Sequence, residues 1–206
     1  MLASTSLARM VSGTRDRLLD AAWSRVCQGG MAAATSRSIT AQAAANLGAI
    51  TYHFGSKDQL LAEAFVGAIG RLVQPALDAL QEDGDPVTGM LRAIGRLQES
   101  LTSSAQDAPA YMEILVQSRR MAPLHEQVSQ LFSGLRTVLA GQLAQQRAAG
   151  FLPAWVEPEA MAALLLAVAQ GVVLQITVDP EGPQQSAMAN QFAHLLIASR
   201  QNQPPG

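Results

Sequence analysis

Apolar residues recur with a helical period on both sides of a tight turn between residues 35 and 57. The spacing predicts one helix over 37–44 and a second over 47–54, with Ile39, Ala43 and Leu47 at intervals of four as a buried stripe. Thr35 or Ser36 can cap the first helix, because a hydroxyl accepts an orphan backbone N–H group. This pattern predicts a helix-turn-helix, the arrangement that presents one helix to the major groove of DNA.

The second predicted helix has two faces of different character. Asn46 is expected to cap it, and Ile50 and Phe54 turn one face towards the core. The other face is small and polar enough to enter a groove, and it comprises Leu47, Gly48, Ala49, Thr51, Tyr52 and His53. Gly55 is expected to end the helix, because a left-handed residue costs little there.

Ser56 is expected to cap a third helix whose first turn contains Lys57. A lysine at a helix N-terminus opposes the helix dipole, so an external phosphate would reverse an unfavourable interaction. The alternative is a solvated lysine followed by the dipole-compatible Asp58. The helix-turn-helix context favours the phosphate interpretation.

The remaining pattern predicts further helices and therefore an all-α chain. Helices are expected over 56–81, 87–101, 108–119 and 124–149. Pro75 should kink or break the first of these, and Pro123 separates the last two. Gly150 is expected at the C′ position of the helix that it follows.

Residues 160–178 form a nearly uncharged segment that is just long enough to cross a bilayer. Gln170, Gln175 and Thr177 interrupt it, and lysine and arginine are missing from its flanks. A helix that is apolar on all sides is also expected when it is buried between subunits. We favour a subunit interface over a membrane span, with a final helix over 185–200.

The charge distribution changes the interpretation of the overall composition. The 206-residue chain has a formal net charge of −2, which by itself argues against a nucleic-acid-binding protein. Residues 1–57, however, carry a balance of +4, so the remainder carries −6. A basic N-terminal part joined to an acidic body suits a DNA-binding head. Because the basic excess is small, tight binding would need two heads.

Residues 14–65 resemble the N-terminal DNA-binding domain of the TetR family of transcriptional regulators. The resemblance rests on the first helix with its glycines, TRDRLLDAAWSRVCQGG, and on the segment YHFGSKDQLLAEAF. It implies a three-helix DNA-binding domain followed by a helical effector-binding and dimerisation domain. The expected boundaries are a flexible arm over 1–13, the DNA-binding domain over 14–57, the effector and dimer domain over 58–201 and a flexible tail over 202–206.

The resemblance also implies which residues meet DNA. The sequence departs from the family at two positions, because many members have glycine where this chain has Ala44 and tyrosine where it has Thr51. The Thr51 methyl or hydroxyl could instead contact a base edge. The implied DNA-binding residues are Thr35, Ser36, Arg37, Asn46, Leu47, Gly48, Ala49, Thr51, Tyr52, His53 and Lys57.

Two further sets of residues follow from the implied body domain. Apolar and amphipathic side chains on the middle helices are pocket candidates, although core packing would also explain them: Met90, Leu97, Tyr111, Met112, Leu115, Met121, Phe132 and Trp155. A homodimer interface is expected to use Leu165, Val168, Val172, Gln175, Phe192, Leu195 and Leu196. A symmetric dimer requires a palindromic operator.

The sequence contains no pattern for catalysis, so we expect a protein that is not an enzyme. It has no nucleophile–base set, phosphate loop or metal spacing, and no cofactor is expected. The single Cys27 cannot form a disulfide within the chain. A cytoplasmic repressor released by a small apolar effector is the main hypothesis. An all-helical carrier, or a regulator controlled by a protein partner, is the alternative.

Overall fold

A computed structural model describes residues 13–82, 86–179, 187 and 191 of the chain. The side chains of 86, 87, 90, 91 and 176 lie outside that description. Within it the ordered elements are helices: α1 (Thr14–Ala33), α2 (Ser36–Gln42), α3 (Gly48–Phe54), α4 (Lys57–Gln81), α5 (Pro86–Ser103), a 3-10 turn (Ala105–Asp107), α6 (Ala108–Ser118), α7 (Ala122–Ala148) and α8 (Pro158–Val178). The predicted all-α class is therefore confirmed.

Helix α1 ends in a glycine bend. Its regular part buries Leu18, Ala22 and Val26 on one face. The backbone then leaves the helical conformation at Gly29 and Gly30, where Gly30 has φ 72° and ψ −177°. That conformation is open almost only to glycine, so the second glycine of the QGG segment sets the direction in which the chain leaves the helix.

Helix α2 begins with a reciprocal cap. The Thr35 hydroxyl accepts the Ser38 N–H at 3.1 Å, and the Ser38 hydroxyl accepts the Thr35 N–H at 3.0 Å. Thr35 is therefore the cap, which settles the choice between Thr35 and Ser36. Helix α3 begins one residue later than predicted, at Gly48, while the Asn46 side chain still accepts the Ala49 N–H at 2.9 Å as expected.

Contacts divide the chain into two compact units. The first contains the described residues up to Gly70 together with Pro109–Gln130. Its core includes an aromatic series in which Trp23 lies 6.2 Å from Phe65, and Phe65 lies 5.7 Å from Tyr111, between ring centroids. Helix α6 therefore packs with the N-terminal helices α1 and α4.

The second unit contains Arg71–Ala108 and the described residues from Leu131 onward. One core cluster joins α4 and α5 through Ala76, Ala79 and Ala93. Another joins α7 and α8 through Ala140, Leu143 and Ala162. The Arg147 guanidinium donates to the Val156 carbonyl oxygen at 2.9 Å and so holds the loop before α8.

Three sequence predictions about the helices need comment. Pro75 is exposed and lies inside α4, and the helix continues past it, so of the predicted kink or break the break does not occur. Pro123 lies in the first turn of α7 rather than before it, where a missing N–H costs nothing. Gly150 has φ 77° after α7, as predicted, whereas the predicted helix 185–200 lies outside the described residues.

Two helices, α4 and the Pro158–Gln175 part of α8, are long and apolar enough to span a membrane by length and composition alone. Helices buried in proteins that never enter a membrane pass the same test. The criterion therefore does not favour a membrane over a subunit interface.

Ala44, in the turn between α2 and α3, has a backbone conformation that is unfavourable for alanine. Ala44 has φ 49°, and among described residues other than glycine it alone has a positive φ. An L-residue costs about 1–2 kcal/mol in that region, while glycine costs roughly 0.5–1 kcal/mol in unfolded-state entropy. We expect Ala44→Gly to raise the free energy of unfolding by up to about 1 kcal/mol, measured by urea denaturation.

Ala41→Gly is the matched control, because Ala41 is an exposed residue of α2 three positions away. Glycine there should lower stability by about 1 kcal/mol. Equal destabilisation by both substitutions would contradict the strain assigned to Ala44.

The buried phenol of Tyr111 predicts a loss of stability in alkaline solution. Burial raises the pKa of Tyr111 from 10.0 to about 12. Between these values the unfolded chain loses the phenolic proton while the folded chain retains it. The free energy of unfolding should therefore fall as pH rises from 10 to 12, by an amount on the order of 2 kcal/mol. Denaturation of Tyr111→Phe should lack this part of the pH dependence, and an identical profile in the variant would contradict it.

Candidate DNA-binding surface

Helix α3 is held against the protein by one face and is open on the other. Ile50 and Phe54 are buried, at 4% and 7% exposure, and the Arg15 guanidinium lies 5.1 Å from the centre of the Phe54 ring. The opposite side has no protein cover. Tyr52 is 85% exposed and Leu47 is 54% exposed.

Most of the residues predicted to bind DNA are accessible. The exposed ones are Thr35, Arg37, Asn46, Leu47, Gly48, Thr51 and Tyr52, and the half-buried ones are Ser36, His53 and Lys57. The structure thus brings the end of the α1–α2 corner, the turn before α3, the outer side of α3 and the start of α4 onto one N-terminal unit.

Two predictions about individual side chains need correction. Ala49 is only 8% exposed and lies on the buried side with Ile50, so its side chain is not on the open face. Its N–H receives the Asn46 cap, which makes Ala49 part of the helix start. Leu47 does not extend the buried stripe of Ile39 and Ala43, because α3 starts after it and leaves its side chain exposed.

Tyr52 is supported by its neighbour in the helix. The His53 ring packs edge-on to the Tyr52 ring with centroids 4.9 Å apart, and His53 also lies 6.2 Å from Phe54. Two aromatic contacts therefore connect the exposed phenol to the core. This packing restricts the orientation of the Tyr52 hydroxyl, which would lower the entropy lost when it meets a phosphate.

The start of α4 has the geometry that the sequence predicted. Gly55 has φ 76°, and its N–H donates to the Thr51 carbonyl oxygen at 3.0 Å. The Ser56 hydroxyl accepts the Gln59 N–H at 3.1 Å. Lys57 is half-buried in the first helical turn, beside the positive end of the helix dipole.

The basic residues of this unit are not all available to a ligand. Arg15 forms an ion pair with Glu63, and the Arg17 Nε donates to the Ala43 carbonyl oxygen at 3.1 Å. Arg25 donates to the Gln28 side chain at 3.2 Å. Among the described cations of the N-terminal unit up to residue 57, the Arg37 and Lys57 side chains form no ion pair with the protein. Net charge therefore overstates the positive surface, which sequence reasoning missed.

The candidate pocket residues divide between the two units. In the first unit Tyr111 is buried against Phe65, and Met112, Leu115 and Met121 are half-buried. In the second unit Leu97 packs against the cluster of Ala76, Ala79 and Ala93, Phe132 is half-buried, and Trp155 is 62% exposed. The Met90 side chain lies outside the described part.

Helix α8 has an exposed apolar stripe. Its position could not be predicted from the sequence, because the helix is apolar on all sides. Leu165, Val168 and Val172 are half-buried and Gln175 is exposed, while Phe192, Leu195 and Leu196 lie outside the described residues. The exposed positions recur every three or four residues: Ala160, Ala163, Leu164, Ala167, Gly171, Leu174, Gln175 and Val178. Leu164 and Leu174, 50% and 44% exposed, are the large members that the sequence prediction omitted.

Across the described residues, no three His, Cys, Asp or Glu side chains are grouped as a metal site would need. Cys27 is half-buried in α1 and is not part of a disulfide.

Comparison with known proteins identifies the N-terminal domain. Residues 18–64 match the family described as bacterial regulatory proteins, tetR family. This range spans α1 from Leu18 onward, both short helices and the start of α4. No curated protein sequence matches the chain.

Solved structures share the fold over nearly the whole chain. A protein described as a TetR-family transcriptional regulator from Rhodococcus sp. is 16% identical, with TM-score 0.74 and coverage of 89% of this chain and 98% of that one. The regulator FadR from Bacillus subtilis, solved with stearoyl-CoA, is 17% identical, with TM-score 0.73 and coverage of 88% and 96%. The multidrug binding protein EbrR, complexed with imidazole, is 26% identical, with TM-score 0.63 and coverage of 90% and 95%.

The family match falls on the helices that build the exposed α3 surface, and the fold match extends through the body helices. The N-terminal domain belongs to the TetR family of bacterial regulatory proteins, and the chain as a whole has the fold of the TetR-family regulators to which it is similar.

Proposed function

We propose that the protein is a dimeric repressor that binds a palindromic DNA operator and is released from it by a small, mostly apolar effector. The observation that carries the proposal is the exposed outer side of α3, with Tyr52 at 85% exposure, together with the exposed Arg37 of α2, which has no ion-pair partner among the described residues. An exposed phenol offers an apolar ring and a hydroxyl group to a ligand. In a helix-turn-helix, that ligand is DNA.

Contacts to phosphate and to bases would divide between different residues. Arg37, Tyr52 and Lys57 supply a guanidinium, a phenol and an ammonium, which suit phosphate oxygens. Gly48 and Thr51 line the outer side of the seven-residue helix α3, and the exposed Leu47 directly precedes it; the small side chains allow close approach to base edges. The half-buried Lys57 adds its charge to the N–H groups at the start of α4.

We propose a dimer because a single DNA-binding domain would have low affinity for DNA. Of the described cations up to residue 57, Arg37 and Lys57 are the ones whose side chains form no ion pair or hydrogen bond with the protein, so one head would bind DNA weakly at physiological salt. Two linked heads gain by effective concentration. The exposed stripe of α8, which combines alanine and glycine with Leu164 and Leu174, supports a second copy as the covering surface.

The proposed effector would act on the body helices. Tyr111, Met112, Leu115 and Met121 place apolar and adaptable side chains on α6 and the start of α7. FadR from Bacillus subtilis binds stearoyl-CoA, and EbrR binds multiple drugs, which supports an apolar ligand for this chain as a proposal. Such a ligand would lower DNA affinity if it bound more tightly to a conformation in which the two DNA-binding domains of the dimer no longer match the spacing of the operator half-sites.

The alternatives differ in what they require of the head. A small-molecule carrier would have no use for Arg37 and Tyr52 on the surface. A regulator controlled by a protein partner would need the head, but it would not need a ligand site on α6. Cytoplasmic location and the absence of enzymatic activity are parts of the same proposal.

Arg37→Ala is expected to weaken operator binding by about tenfold or more and to lower the salt dependence of log Kd by about one unit per head. The operator would first be isolated by sequencing genomic fragments retained by the purified protein. Fluorescence anisotropy with that duplex would then give Kd at several salt concentrations.

Arg136→Ala is the matched control, since Arg136 is an exposed arginine of α7 and the substitution removes the same charge. It should change Kd by less than about twofold. If wild-type protein enriches no palindrome at low salt, or if both variants bind alike, DNA recognition through this surface is wrong.

The α8 stripe predicts the oligomeric state. Leu164→Glu should weaken dimerisation by about a hundredfold or more, because each dimer would bury two unpaired carboxylates. Sedimentation velocity over a concentration series measures the effect. Val116→Glu places the same charge at another exposed apolar position, on α6, and should leave the dimer intact. A Leu164→Glu protein that remains a dimer would assign the interface to another surface.

A further inference from the structure

Helix α6 holds the end of α1 through a single carboxylate. Glu113 Oε1 accepts the N–H of Met31 at 3.0 Å, although the two residues are 82 positions apart. The same carboxylate lies against Gly30. A Cβ atom added to that glycine would be 2.6 Å from Glu113 Oε2 and 3.2 Å from Oε1.

The glycine bend explains why the Met31 N–H needs this acceptor. The backbone is non-helical at Gly29 and Gly30, so Met31 starts a new helical turn after the break. The first N–H groups of a helical turn lack backbone acceptors. Glu113 therefore acts as the cap of that turn, supplied from a distant helix. The lack of a side chain at Gly30 allows the carboxylate to approach.

Hydrogen bonds continue from this corner into the helix-turn-helix. The turn capped by Glu113 ends at Ala33, whose carbonyl oxygen accepts both the Ser38 hydroxyl at 2.7 Å and the Thr35 N–H at 3.0 Å. Ser38 and Thr35 in turn form the reciprocal cap of α2. The position of α6 is thus connected to the start of α2 through a few short, directional bonds.

Other contacts of α6 in the same unit are apolar. Tyr111 packs against Phe65 of α4, and Ile114 is 1% exposed. Such contacts stabilise the unit but restrict sliding less than hydrogen bonds do, because apolar attraction has no preferred direction. Glu113 is the described α6 side chain that holds a particular backbone atom of α1.

We propose that Glu113 is a positioning residue for DNA recognition, which fixes the orientation of the DNA-binding helices relative to α6 and thereby the spacing at which two heads can meet one operator. This inference rests on the proposed function. Helix α6 leads within three residues to α7, which continues into the second unit. A change in α6 would therefore reach α2 and α3 through Glu113.

The test measures how strongly each protein prefers one operator spacing. Kd is determined for the isolated palindrome and for versions with one or two base pairs inserted between the half-sites. One inserted base pair rotates a half-site by about a tenth of a helical turn. We expect Glu113→Ala to weaken binding to the original spacing and to reduce the preference for it over the inserted versions, each by about tenfold.

Three variants separate positioning from general stability. Glu113→Gln retains a carbonyl oxygen for the Met31 N–H and should keep the wild-type spacing preference. Glu113→Asp is one methylene shorter, so it should lose the preference while keeping the charge. Glu126→Ala removes a glutamate of α7 in the same unit whose carboxylate accepts a hydrogen bond from the Gln130 side chain, one turn along the same helix, and it should behave as wild type.

Hydrogen exchange of the Met31 amide reports the contact without DNA. It should be at least about tenfold faster in Glu113→Ala and Glu113→Asp than in Glu113→Gln. If wild-type protein binds DNA but Glu113→Ala weakens every spacing equally, or weakens none, the positioning role is wrong and the proposed function stands. If wild-type protein binds no DNA, both are wrong, whatever the Met31 amide shows.

Discussion

The exposed surface of α3 depends on the α1–α2 corner, the segment from the glycine bend at Gly29 and Gly30 to the Thr35 cap. The two helices that follow this corner have only seven residues each. Helices of this length are not stable alone, since the cost of nucleation exceeds the few hydrogen bonds gained. Their positions are therefore set from outside. The Thr35–Ser38 cap fixes the start of α2, and the Asn46 side chain fixes the start of α3. The buried Ile39, Ile50 and Phe54 belong to helices that pack on α1 and on each other.

Sequence patterns predicted the parts of this arrangement that depend on neighbouring residues. The caps at Thr35, Asn46 and Ser56 and the positive φ of Gly55 and Gly150 were predictable, because each depends on a residue type and its immediate position. The exposure of Tyr52 followed from the burial of Ile50 and Phe54 on the other side of one helix. Ala49 was misplaced because the buried side of α3 is wider than Ile50 and Phe54 alone and also includes the small Ala49 side chain in the first turn.

The features that could not be predicted all depend on contacts between distant residues. The basic excess of the N-terminal part does not reveal that Arg15 pairs with Glu63 or that Arg17 supports the Ala43 carbonyl. Helix α8 is apolar throughout, so its sequence does not distinguish the side packed on Ala140 and Leu143 from the exposed stripe. The bond between Glu113 and Met31 crosses 82 positions and depends on the glycine bend, so no local pattern indicates it.

A head with few free cations is well suited to control by a ligand. In the dimeric repressor that we propose, three of the basic side chains serve the fold, so DNA affinity would depend on both heads meeting the operator together. Affinity then falls steeply with any change in head spacing, so a ligand with a modest preference between two body conformations suffices. A strongly basic head would bind DNA even when its partner was displaced. Arg15 and Arg17 contact Phe54 and Ala43 and so stabilise the short helices. In the function that we propose, this internal use would also keep a single head weak, and the connection between α6 and the α1–α2 corner would then matter for regulation.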